Sequence, residues 1–145
     1  MPFNLAVFNS NAANAVIERH SEIHSWTISG HSLGGVMASN FAKNNTGLIE
    51  GLILFASYPS ENISKSPLKV LSIYGDLDGF VKQEKYEKSK LDLPSTAVFN
   101  VIKGGNHCNF GDYGFQDGDN QSTISKKQQQ SEIILAVVNF LKTIK

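Results

Sequence analysis

The chain has 145 residues, the length of one ordinary domain, and its thirteen basic side chains balance thirteen acidic ones. Without a bulk field to draw it to nucleic acid or an anionic membrane surface, its partners must be argued from a site. No apolar run approaches the roughly 20 residues that span a bilayer, and no basic region followed by an apolar stretch and a cleavage site opens the chain. The single Cys108 excludes an internal disulfide and fits a reducing compartment, so a soluble, cytoplasmic protein is expected.

In chain order, Asn9, Ser10 and Asn11 offer helix caps, and Ala12, Ala13, Val16 and Ile17 recur at helical spacing, which predicts a helix over roughly residues 9 to 20. Trp26-Thr27-Ile28-Ser29 is β-prone and stopped by Gly30, a short strand entering a tight turn. Val36, Met37, Phe41 and Ala42 then mark a helix from Leu33 to about Asn44, closed by Asn45-Thr46-Gly47.

Gly51 to Ala56, Leu68 to Tyr74 and Ala97 to Ile102 are three further short apolar runs, read as strands buried on both faces. Val81 to Lys90 is charged and rich in helix formers, and is expected to be a solvated helix. Ser131 to Ile144 carries an amphipathic stripe at Ile133, Ile134, Val137, Val138, Leu141 and Ile144, too polar on its other face for a membrane span. Gln128-Gln129-Gln130 is too short a low-complexity patch to carry meaning. Alternating strands and helices predict a single α/β domain over residues 1–145, a mostly parallel sheet of about four strands with flanking helices.

Ligands of such sheets bind beyond the carboxyl ends of the strands, and the chemically useful residues fall there. A serine hydroxyl is a poor nucleophile unless it is exposed on a rigid turn beside a base. In Gly30-His31-Ser32-Leu33-Gly34 the glycines let a strand turn sharply into a helix and present Ser32. The Leu33 N–H, at the positive start of that helix, faces a developing oxyanion.

His107, in the turn Gly104-Gly105-Asn106-His107 after the last strand, is the natural base; His20, His24 and His31 fit helix-end, loop and packing roles better. A carboxylate must orient that imidazole, and Gly75-Asp76-Leu77-Asp78-Gly79 offers both Asp76 and Asp78. Cys108 reads as a small buried apolar side chain. The acidic run Asp112 to Asp119 fails the calcium-loop pattern, since the glycine at the sixth position is missing and Gln128 stands where a glutamate is needed. No metal and no cofactor is expected.

The order Ser32, Asp78, His107, with Gly-His-Ser-Leu-Gly-Gly around the serine, resembles the α/β-hydrolase superfamily, especially its lipase/esterase-like and dienelactone-hydrolase-like members. Gly75-Asp76-Leu77-Asp78-Gly79-Phe80-Val81 is similar to that superfamily's acid turn, which points to Asp78 as the triad acid. The stretch from Gly105 to Asp119 resembles the histidine loop of a microbial hydrolase subgroup. The resemblance implies a serine hydrolase that acts on small-molecule carboxylic esters through an acyl-enzyme on Ser32. Alternatives are an acyltransferase with the same triad and a truncated, non-catalytic remnant or assembly module.

The superfamily places four strands before the serine strand, where this chain has one helix, so the resemblance covers a C-terminal portion of a truncated fold. The loop that supplies the second oxyanion N–H has no counterpart here, and losing such a donor costs about 100- to 1000-fold in turnover. The serine strand then becomes a sheet edge, from which pairing with a second copy or with a missing N-terminal half is expected. Tyr58, Phe80 and Phe110 are candidates for an apolar acyl pocket or for ordinary packing.

Overall fold

A computed structural model describes residues 12–144 of the chain. It contains α1 (Ala12–Arg19), β1 (Trp26–His31), α2 (Leu33–Asn44), β2 (Ile49–Phe55) and β3 (Lys69–Gly75). These are followed by α3 (Gln83–Ser89) with a 3-10 turn at Lys90–Asp92, β4 (Val98–Ile102), a 3-10 turn at Cys108–Phe110, and α4 (Lys126–Leu141). The cap residues Asn9, Ser10 and Asn11 expected for the first helix lie outside the described residues.

The four strands form one parallel sheet in the order β1-β2-β3-β4. Successive side chains of a strand point to opposite faces, and the inner strands bury both. Leu52, Leu54 and Val70 meet Ala38, Phe41 and Ala42 of α2 on one face, while Ile53, Leu71 and Ile73 meet Phe140 of α4 on the other. This is the α/β arrangement with flanking helices that the alternating pattern requires. Burial on both faces is confined to β2 and β3: β1 is half-buried, and β4 leaves Val98, Phe99 and Val101 exposed.

Two helices differ from the sequence reading. The stretch expected to be a solvated helix instead buries one face, because the Tyr86 ring of α3 stacks on Tyr74 at 3.9 Å. The Tyr86 hydroxyl donates to the Ser72 carbonyl and accepts from the Ser72 hydroxyl, both at 3.3 Å. In turn, α4 starts at Lys126, not near Ser131. Ser125 supplies the cap, its side chain accepting the Gln128 N–H at 3.1 Å. The glutamine run that carries no apolar signal is therefore the first turn of the helix.

Ladder hydrogen bonds continue one residue past each strand and align the loops that follow. Ser32 N–H donates to the Phe55 carbonyl (3.0 Å), Ala56 N–H to Ile73 (2.8 Å) and Asp76 N–H to Ile102 (3.2 Å). Ser32, Asp78 and His107 consequently leave the sheet from the same end, on the loops after β1, β3 and β4.

Candidate active site

Ser32 sits between β1 and α2 at φ 53° and ψ −125°, a left-handed conformation that costs a non-glycine residue about 1–3 kcal/mol. The turn can be this tight because a Cβ on Gly30 would overlap the Gly34 carbonyl, so only glycine lets strand and helix meet there. Four hydrogen bonds hold the strained residue. Its N–H is bound to Phe55, and its carbonyl accepts from the Gly35 N–H (3.0 Å), the Val36 N–H (3.4 Å) and Ser57 Oγ (2.7 Å).

Ser57 follows Ala56, itself at φ 45°, and had no signal in the sequence. The Ser32 side chain does not cap α2, so its hydroxyl is not committed to the helix. The adjacent Leu33 N–H opens α2 and has no acceptor among the described residues. It is an unpaired donor at the positive end of a helix.

The loops after β3 and β4 abut so closely that a Cβ on Gly75 would overlap the Gly105 carbonyl. Across that contact His107 Nδ1 donates to Asp78 Oδ2 at 2.7 Å, with both side chains buried. The other carboxylate oxygen of Asp78 accepts the N–H groups of Phe80 (2.8 Å) and Val81 (2.7 Å), which fix its plane. Asp76 has a different partner: its Oδ1 accepts the Gly104 N–H at 2.7 Å. Of the two aspartates that spacing left open, Asp78 meets the imidazole and Asp76 caps a backbone turn.

Among the described residues no hydrogen bond joins Ser32 to His107; His31, the neighbour of Ser32 in the chain, has its ring centroid 4.5 Å from that of His107. His31 also stacks on Phe110 at 5.8 Å, and its Nδ1 is hydrogen-bonded to the Tyr113 hydroxyl at 2.7 Å. Burial, and next the neighbouring His107, pull His31 down to about 4, so it is neutral at ordinary pH. Burial likewise pushes Tyr113 up to about 12, which keeps its hydroxyl proton in place.

Phe80 meets His107 edge-on at 5.0 Å and is partly exposed, as are Leu33, Tyr113 and Phe115. Tyr58 instead packs beside Tyr74, Val81 and Tyr86, with Lys85 over its ring. His20 and His24 stand apart from the site: His20 pairs with exposed Glu22, and His24 lies exposed on the loop before β1. Cys108 is buried, and burial pushes its thiol above the usual range.

Three residues behind His107 escaped sequence reasoning. Gln129 of α4, fully buried, accepts the Asn106 N–H (3.1 Å) and donates to the Asn106 carbonyl (2.8 Å). Asn106 itself accepts the Asn109 N–H and donates to the Asn120 carbonyl. Asp119 binds four backbone N–H groups, those of Gly79, His107, Cys108 and Asn120. None of these contacts has a local sequence signature, since each joins segments 11 or more residues apart, save Asn106 with Asn109 and Asp119 with its neighbour. Among the described residues no group of three or more His, Cys, Asp or Glu side chains is disposed to hold a metal ion.

A parallel α/β sheet with a strained serine at a strand-to-helix turn, and a buried Asp–His pair at the same sheet end, is the frame of one large class of enzymes. Residues 1–131 match the alpha/beta hydrolase family, and the chain belongs to it. No curated protein matches the chain. Among solved structures it is similar to a CIB-like hydrolase from Thermoplasma acidophilum, at 15% identity and a TM-score of 0.67, over 94% of this chain and 60% of that one.

It is also similar to a thermophilic esterase from Thermogutta terrifontis (12% identity, TM-score 0.71, 92% of this chain and 70% of that one). A third is the monoacylglycerol lipase of Paleococcus ferrophilus (13% identity, TM-score 0.65, 90% and 74%). The chain thus spans three fifths of the length of the Thermoplasma hydrolase.

Proposed function

We propose that the chain is a serine hydrolase acting on carboxylic esters through an acyl-enzyme on Ser32. The observation that carries this reading is the buried 2.7 Å hydrogen bond from His107 Nδ1 to Asp78, at the end of the sheet where Ser32 is held in a strained turn. Asp78 fixes the imidazole so that Nε2 is its basic nitrogen, and the charge formed there is stabilised by the carboxylate. Ser32 Oγ attacks the ester carbonyl carbon as its proton passes to His107 Nε2. The oxygen that gains the negative charge accepts the Leu33 N–H, a donor with no competing acceptor among the described residues.

Collapse of the tetrahedral species breaks the bond to the alcohol oxygen, which takes the proton from His107. Water repeats the sequence, giving a proton to His107, and frees the acid and the Ser32 hydroxyl. The exposed apolar side chains of Leu33 and Phe80, with the aromatic faces of Tyr113 and Phe110 around His31, favour an ester with an apolar acyl or alcohol group.

A fluorophosphonate probe followed by peptide mass spectrometry tests the reading. Labelling is expected on Ser32 in the unaltered chain and on nothing in Ser32→Ala, together with turnover of short p-nitrophenyl esters by the former alone. A chain that is folded yet neither labelled nor active sinks it.

A further inference from the structure

Asp119 is a buried carboxylate in a loop with no part in the proposed acyl transfer, yet it lies where the two halves of the Asp–His pair are joined. Its Oδ1 accepts the N–H of Gly79 (2.9 Å), directly after Asp78, and the N–H of His107 itself (3.3 Å). The same oxygen accepts its neighbour Asn120 (2.9 Å), and Oδ2 accepts the N–H of Cys108 (2.8 Å). One side chain therefore ties the turn that carries Asp78 to the turn that carries His107. We propose that Asp119 is a positioning residue, a clasp that sets the distance and angle of the His107–Asp78 hydrogen bond; its bearing on catalysis rests on the hydrolase reading.

The chemistry demands a carboxylate. Both oxygens face N–H donors, so an amide would point its own NH₂ at one of them, and a neutral acceptor would forgo the stronger charge-assisted bonds. Burial works against the charge, but hydrogen bonds from Cys108, Gly79 and His107 outweigh it and hold the carboxyl below its usual range. Close backbone packing reinforces the clasp, since a Cβ on Gly79 would come 2.6 Å from the Gly118 carbonyl oxygen.

Asp119→Asn tests the clasp, with Asp112→Asn, at an exposed partner of Lys126, as the control. Two readings are taken on each: ester kinetics, and the strongly deshielded proton resonance of the His107–Asp78 hydrogen bond. In Asp119→Asn, kcat should fall about 10- to 100-fold with KM little changed, the loss expected when a catalytic group is displaced by a fraction of its bond length to its partner. The resonance should broaden or vanish, while the control keeps both.

An Asp119→Asn protein that retains the resonance and kcat overturns the proposal even if its Tm drops, for that is the behaviour of a loop staple without influence on the pair. If the variant does not fold, hydrogen exchange on the unaltered chain decides. The amides of Gly79, His107 and Cys108 should then exchange through one shared opening, and separate openings overturn the clasp. An unaltered chain that turns over no ester, but loses the resonance in Asp119→Asn, overturns the hydrolase reading and leaves the clasp standing.

Discussion

His31 stands next to Ser32 and packs its ring on that of His107, which gives its protonation a measurable cost. In an unfolded chain its imidazole takes a proton near 6.5, whereas in the folded protein burial delays this to about 4. The unfolded state therefore binds the extra proton first as pH falls. The stability contributed by neutral His31 is fully present above 6.5 and is lost as pH drops through about 4. Thermal melts across this window should show a steeper fall in Tm for the unaltered chain than for His31→Gln, and equal slopes would contradict the assignment. The two aspartates of the acid turn make a second pair of predictions. Asp78→Asn keeps its oxygen on the Phe80 and Val81 N–H groups and turns its NH₂ to His107, so the imidazole takes the wrong tautomer and kcat is expected to fall about 10⁴-fold. Asp76→Ala removes only the cap on Gly104 and should lower Tm with little change in kcat, as steady-state ester assays would report.

At the scale of elements, the loop that carries His107 is held from below by α4. Gln129→Leu would leave the buried N–H and carbonyl of Asn106 without partners. Each such group costs about 1–3 kcal/mol, so a loss of about 2–6 kcal/mol in urea denaturation is expected. An unchanged midpoint would show that the loop holds itself. This contact also explains where sequence reading succeeds and fails. The strands, α2 and the serine turn were legible because apolar runs, helical periodicity and a glycine-flanked serine are local patterns. The choice of Asp78 over Asp76 rests on resemblance, since spacing alone leaves both open; the structure brings Asp78 to His107 at 2.7 Å and Asp76 to the Gly104 N–H. Gln129, Asp119 and Ser57 were invisible because their meaning lies in backbone groups distant in the chain, and polar side chains leave no periodic trace when they turn inward. The solvated helix expected over Val81 to Lys90 differs from α3 for a related reason: charged residues set the character of the stretch, while the Tyr86 ring decides which face is buried.

At the scale of the whole molecule, the sheet has two open edges among the described residues, and the β1 edge differs from the other in kind. Beside it lies a groove of about 150 Å³ lined by Ala13, Val16, Ile17, Trp26, Thr27, Ile28 and Ile49, apolar but for one hydroxyl. An unpaired strand next to an apolar groove is a template for association. At the β4 edge a larger groove, about 350 Å³, also opens beside exposed Val98 and Phe99, but Asn100, Asn139 and Thr143 help to line it and Lys90 places a charge over the Phe99 ring. The chain is accordingly expected to self-associate through β1 as its concentration rises, which sedimentation velocity over a dilution series will detect. Trp26 is the sole tryptophan and lines the groove, so it reports which edge is used. Association through β1 should shift its emission to shorter wavelength in step with the change in mass, and Val16→Lys, at a half-exposed position on the groove, should suppress both. A mass increase with no change in Trp26 emission would place the contact elsewhere, and a strictly monomeric chain with a cooperative melt would show that the fold tolerates the open edge.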